Sequence, residues 1–310
     1  MISLKEAITD YLAYCEYQKK LSAKSIKAYM IDLGQLRRHT ASEDIPAKTE
    51  ISAYITRLHK TYSPRTVKRK IASIRAFLNY LEFEEVLSEN PMKKIKTKFQ
   101  IPQLLPRTIP LTIIESILRA AYQELKQAQT VYALNTTLRN VAMLELLFAT
   151  GLRVSELCSL GADYIDMGNG KILIMGKGAK ERVLQIGNPE VFSILRRYAE
   201  ENAARIRETG WFFVNRLSSR ISEQSVRFLI KRLCAKADIG QNITPHMFRH
   251  SFATLLLEED VDIRYIQRML GHSSIMTTQI YTQVTVEKQR QILTMKHPRN
   301  KIVVNMLDFC

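Results

Sequence analysis

A chain of 310 residues is long enough for two domains with separate cores, and its 46% hydrophobic content argues against disorder. Lys and Arg outnumber Asp and Glu by 46 to 30, a formal charge of +16, which favours a polyanionic partner. Of the two such partners, an anionic membrane is disfavoured because no uninterrupted apolar run approaches the roughly 20 residues of a span, and Lys5, Glu6 and Asp10 do not suit a signal peptide.

The first 91 residues read as four amphipathic helices. Leu4, Ile8, Tyr11, Leu12 and Cys15 recur at three- and four-residue steps. Ser22 suits the N-cap of a second helix with an apolar side of Ile26, Tyr29, Met30, Leu33 and Leu36. A shorter third helix surrounds Ile51, Ile55 and Leu58. Ser63-Pro64 opens the fourth, whose buried stripe is Val67, Ile71, Ile74, Leu78 and Leu81. Arg65, Lys68, Arg69 and Arg75 gather on its other side, either as a DNA-facing surface or as a solvated face. Residues 92–110 read as a linker: Lys93, Lys94, Lys96, Lys98 and Arg107 occur without an acid, and Pro102, Pro106 and Pro110 preclude a continuous helix. Such a tether can follow a duplex backbone or serve as a solubilising spacer.

Residues 111–298 read as a second, mostly helical domain. A helix over Leu111–Leu125 precedes a polar stretch and then an apolar helix, NVAMLELLFAT from Asn140, stopped by Gly151 in a left-handed conformation. Ile172–Met175 and Val183–Ile186 flank the sequence GKGAKER as a hairpin would. From Pro189 the helical period is expected to run to about Ile292. The four cysteines are scattered with no C-x-x-C pair, which suits a reducing compartment, and Cys15 and Cys158 fall on apolar stripes.

Breaking a phosphodiester without hydrolysis needs cations on the non-bridging oxygens, an acid for the leaving alkoxide and a nucleophile. Arg153 and Glu156, three apart after Gly151, are expected to share a helical face, so that the carboxylate orients the guanidinium; a surface ion pair is the plainer alternative. Lys177, in a Gly-Lys-Gly turn, can reach a groove and protonate a departing oxygen, with Lys180 as its rival. His246, Arg249 and His250 share a face at a helix N-terminus introduced by Thr244-Pro245, where anions are favoured. Zinc is disfavoured there because Met247 stands where a zinc-protease pattern needs Glu, and no metal or other cofactor is expected. Gly271-His272 and Tyr281 complete the set. A phenol of pKa about 10 is a fair nucleophile and leaving group, so an aryl phosphodiester keeps strand breakage reversible.

With ATGLRVSEL (149–157), GKGAKER (176–182) and the stretch His246–Tyr281 in this order, the chain resembles the tyrosine recombinase, or phage-integrase, family, including its Xer-type members. The resemblance implies a mainly α fold: an N-terminal four-helix, SAM-like core-binding domain (1–91), the basic linker (92–110), a catalytic domain with a small antiparallel β-sheet (111–298) and a tail (299–310). It implies Arg153, Lys177, His246, Arg249 and His272 as phosphate-activating residues, Glu156 as support and Tyr281 as nucleophile. The implied activity is site-specific recombination through a 3′-phosphotyrosyl bond and a Holliday junction, in integration and excision of a mobile element or in resolving chromosome or plasmid dimers. Two domains clamping a duplex, a homo-tetramer or a hetero-tetramer with a related recombinase, trans docking of Ile302–Leu307, accessory DNA-bending or directionality factors, and a bacterial cytoplasmic, nucleoid-associated location are further expectations. Lys93 and Lys94 join Arg65, Lys68, Arg69 and Arg75 as expected DNA contacts. Competing readings are a topoisomerase with the same nucleophile and a DNA-binding accessory or regulatory protein without strand exchange.

Overall fold

Helix α1 (Leu4–Ala13) begins where Ser3 and Glu6 satisfy each other's backbone: the Ser3 hydroxyl accepts from Glu6 N at 3.3 Å, and the Glu6 carboxylate accepts from Ser3 N at 2.9 Å. The computed structural model describes residues 2–40, 43–100, 107–176 and 181–271, and the chain divides into two compact units, Met1–Leu104 and Leu105–Cys310.

In the first unit, α1 continues into a π-helical turn, Tyr14–Gln18, and is followed by α2 (Ala23–His39), α3 (Lys48–Thr61) and α4 (Pro64–Phe83). The expected stripes meet in one core that includes Leu4, Tyr11, Cys15, Leu33, Leu36, Ile51, Val67, Ile74 and Leu78. Met30 departs from expectation and is exposed, because the inward face of α2 centres on Tyr29, Leu33 and Leu36. The flank that turns inward instead carries Asp32, 1% exposed. Its burial is tolerable because Lys70 Nζ donates to it at 2.9 Å, Ser73 Oγ at 2.8 Å, and Arg69 pairs with it as well. Pro64 does open α4, yet the Ser63 hydroxyl meets Thr66 Oγ1 at 3.1 Å instead of capping the backbone. Pro91–Lys94 form a 3-10 turn in which Met92 joins the first unit's core, so the stretch read as a linker starts folded onto that unit.

The second unit begins with α5 (Leu111–Lys126) and α6 (Val131–Thr150). Helix α6 starts at Val131 instead of Asn140, because Thr130 Oγ1 accepts from Ala133 N at 3.1 Å and caps it earlier. After the short α7 (Val154–Cys158) come β1 (Ile165–Asp166), β2 (Lys171–Met175) and β3 (Glu181–Gln185), an antiparallel sheet in that order. The hairpin runs from Lys171 opposite Gln185 to Met175 opposite Glu181. Ile172, Ile174 and Leu184 point into the core, as the period of two demands.

Helices α8 (Pro189–Glu201), α9 (Ala203–Thr209), α10 (Glu223–Lys236), α11 (Pro245–Glu258) and α12 (Ile263–Leu270) follow. The expected unbroken helical period from Pro189 is interrupted: Gly210, at φ +70°, ends α9, and bridges pair Gly161 with Trp211 and Val214 with Arg220. Phe212, Phe213 and Val214 are buried in this extended piece and pack with Tyr198 and Leu195 in the unit's main core. Cys158 and Cys234 are buried there too, while Cys310 lies outside the described residues. Among the described residues no helix is long and apolar enough to cross a membrane.

Candidate active site

Gly151 ends α6 in the left-handed region, φ +61°, as its sequence position implied. A Cβ there would also sit 2.5 Å from the Phe252 ring, so α6 and α11 approach as closely as they do because the residue is glycine. The turn delivers Arg153 to the start of α7. Arg153 is not helical: it is the extended N-cap residue, φ −68° and ψ 144°, so the shared helical face expected for Arg153 and Glu156 is replaced by cap geometry. Glu156 reaches back to accept from Arg153 N at 2.9 Å and from Arg153 Nη1 at 2.8 Å. The carboxylate thereby fixes the guanidinium, whose side chain remains 35% exposed.

Glu156 is buried and also takes a two-pronged grip from Arg182 on β3, Nη1 to Oε1 at 3.0 Å and Nη2 to Oε2 at 2.8 Å. Burial pushes its pKa up, but hydrogen bonds from Arg182 and from the Arg153 backbone outweigh this and leave the carboxyl below its ordinary value. Arg182 closes the GKGAKER motif, whose local pattern alone assigns it no role. Its signal is strand period: Arg182 and Leu184 fall on the inward side of β3, in phase with the buried Ile186 just after it, and an arginine at an inward position demands an acid.

Helix α11 brings His246, Arg249 and His250 to one N-terminal face, as the spacing implied. Pro245 holds the first helical position, although the Thr244 side chain makes no capping hydrogen bond. Arg249 is 4% exposed and donates from Nη1 to the Gly151 carbonyl at 2.7 Å and from Nη2 to the Leu270 carbonyl at 2.6 Å. It thus places positive charge at the C-terminal ends of α6 and α12, where helix dipoles favour a cation. His246 presents its ring at the surface. Nearby packing, then the guanidiniums of Arg249, Arg227 and Arg153, hold its pKa below the ordinary value. His250 is lowered by burial and by His246 and Arg249. Arg227, another residue that sequence reading passed over, pairs with Glu223 at 2.9 Å on α10, an i,i+4 pattern that looks like any surface pair.

Arg153, Glu156, Arg182 and Arg249 are therefore tied into one cluster by hydrogen bonds and by the turn at Gly151, and Arg249 and Arg153 act electrostatically on His246. Gly271 closes it, at φ +64° after α12. Lys177, Lys180, His272, Tyr281 and Ile302–Leu307 lie outside the described residues. Fixed guanidiniums and a largely neutral imidazole can bind a phosphodiester and exchange a proton with a group beside it. Among the described residues, no group of three or more His, Cys, Asp or Glu side chains is arranged to hold a metal.

In the first unit, Arg65 and Lys68 are exposed on α4. Arg69 is committed in part to Asp32, and Arg75 donates to the Thr97 hydroxyl. Lys93 pairs with Glu82 at 2.7 Å and Lys94 with Glu89 at 2.6 Å, so acids missing from the 92–110 stretch are supplied by residues before it. Such exposed pairs are worth about 0–1 kcal/mol and can exchange for phosphate. Lys68, Arg75, Lys96 and Lys98, with Ile95 and Phe99, line a cavity of about 840 Å³.

Residues 118–288 match the Phage integrase family, and residues 8–85 match the Phage integrase N-terminal SAM-like domain. The chain belongs to the phage integrase family of tyrosine recombinases, enzymes of site-specific DNA strand transfer. It is 48% identical to a tyrosine recombinase of Agathobacter rectalis, covering 96% of this chain and 98% of the relative. Identity with tyrosine recombinase XerD of Listeria innocua serovar 6a is 36%, over 96% of this chain and 100% of that one. The solved structure of the XerH site-specific recombinase bound to palindromic difH substrate, a post-cleavage complex, shares the fold with a TM-score of 0.73 at 21% identity, over 93% of this chain and 84% of that one.

Proposed function

We propose that Tyr281 is the nucleophile of this recombinase and that Arg153, Arg249, His246, Lys177 and His272 activate the phosphate it attacks. The phenol oxygen bonds to phosphorus and the bond to the 5′ oxygen breaks, leaving a 3′-phosphotyrosyl strand and a 5′-hydroxyl. Lys177 donates the proton that the departing oxygen needs, and the 5′-hydroxyl of a partner strand later displaces the tyrosine. Arg153 and Arg249 stabilise charge on the non-bridging oxygens as the fifth bond forms. The lowered pKa of His246 leaves its ring neutral near pH 7, the form able to accept the phenol proton.

The observation that carries this reading is the buried Glu156 carboxylate holding Arg153 by both backbone and side chain while that guanidinium stays accessible. A mere surface ion pair would not be anchored this way. The substrate we propose is duplex DNA carrying a recombination site, an assignment supported by the XerH–difH complex and the net charge of +16. The working assembly is a tetramer on two such sites. Tyr281→Phe tests the reading: it is expected to bind duplex DNA like the parent chain and to form no denaturant-resistant DNA adduct. An unchanged adduct would remove Tyr281 from the mechanism.

A further inference from the structure

We propose that Arg182 is a positioning residue of the strand-transfer reaction, tying the support of Arg153 to the end of α12 and to β3 through one largely covered guanidinium. Two of its nitrogens grip Glu156, at 3.0 and 2.8 Å, and the third, Nε, donates to the Met269 carbonyl at 2.8 Å. Glu156 in turn holds Arg153, and Met269 stands in the last turn of α12, three residues before His272. Arg182 itself belongs to β3, directly after the hairpin connection that contains Lys177. A single planar fork on β3 therefore touches both the support of Arg153 and the end of α12.

Two observations argue that this is more than a buried ion pair. Consecutive carbonyls at the end of α12 are each held by a different guanidinium, Met269 by Arg182 and Leu270 by Arg249, so the end of that helix is fixed at two adjacent points beside the Arg153 support. At Gly271 a Cβ would lie 3.0 Å from Arg182 Nη1 and 3.1 Å from its Cδ, so the backbone runs against the guanidinium. The fork is specific to arginine: lysine, a single point of charge, cannot serve both carboxylate oxygens and a carbonyl behind them. Arg182 does not bind the phosphate; it sets where Arg153 points.

The inference rests on the reading of Arg153 as a phosphate-binding cation, and the experiment separates the two. Adduct formation is measured for the full chain on a suicide duplex with either an ordinary scissile phosphodiester or an uncharged methylphosphonate, which asks less of a cation. Arg153→Ala and Arg182→Gln should each slow cleavage of the phosphodiester, the second by about 10- to 100-fold on the usual scale for residues that orient a reacting group. Duplex affinity should change little, and both deficits relative to the parent chain should shrink at least about tenfold on the methylphosphonate. Should Arg182→Gln not fold, Arg182→Lys, which keeps the charge and loses the fork, is judged by the same ratio. Recovery of Arg153→Ala without recovery of the Arg182 variant would overturn the positioning role, as would cleavage at the parent rate. Absence of recovery in Arg153→Ala would overturn the reading of Arg153 and the inference with it.

Discussion

Asp32 in the first unit and Glu156 in the second are both buried carboxylates, and each is held by two cationic side chains. They differ in what stands beside the exposed partner. Lys70, the principal partner of Asp32, is itself buried, donates to Gln35 and lies 4.9 Å from the centre of the Tyr62 ring, so that arm of the network joins α2 to α4 inside the unit, while Arg69 carries the other arm to the surface. Glu156 likewise has one largely covered partner, Arg182, and one more accessible partner, Arg153. Each carboxylate thus holds one covered and one exposed cation; what distinguishes Glu156 is that its exposed guanidinium acts together with Arg249 on His246.

The comparison is broken most strongly at Asp32. Asp32→Ala strands Lys70 without its carboxylate, and the first unit should lose about 3–5 kcal/mol of stability, measured by denaturant unfolding. Loss of less than about 1 kcal/mol would show that water replaces the pair. At the other carboxylate, Arg153→Lys should leave stability nearly unchanged, because the side chain is partly exposed, yet slow adduct formation about 100-fold or more. Cleavage near the parent rate would return Arg153 to the role of a surface pair.

The smallest expected effect is on pH dependence. His246 and His250 have folded pKa values below the ordinary value, so the unfolded chain takes up their protons more readily. Their contribution to stability is complete above about pH 6.5 and is lost as pH falls through the folded values. The Glu156 contribution has the same sign but lies lower, present above about pH 4.3 and lost as pH falls through its depressed value. Thermal melts should therefore show a first loss on mild acidification that His250→Gln diminishes. A melt indifferent to that substitution would contradict the assigned direction.

Sequence periodicity was enough for the helices of the first unit, because stripes such as Val67, Ile71, Ile74 and Leu78 repeat without interruption. It missed Asp32 because an acid on a helix is ordinarily solvated, and its partners Arg69 and Lys70 lie more than thirty residues away. Gly151 and the hairpin were legible from local conformational rules, whereas the two-residue β1 is too short to show a period. At the site, the spacing of His246, Arg249 and His250 translated directly into a shared face. The spacing of Arg153 and Glu156 gave the right pair with the wrong geometry, since a carboxylate three residues on can serve an N-cap as readily as a helical neighbour. Arg182 required tertiary knowledge: β3 must fold against α7 before its guanidinium meets Glu156.

The most direct measurement is mass spectrometry of the complex trapped on a suicide duplex, digested to peptides that separate the 13 tyrosines. A nucleotide carried by Tyr281, through a bond to the 3′ phosphate, is the predicted result. A nucleotide on another residue, or a productive strand exchange with no protein-bound nucleotide at any time, would contradict the account.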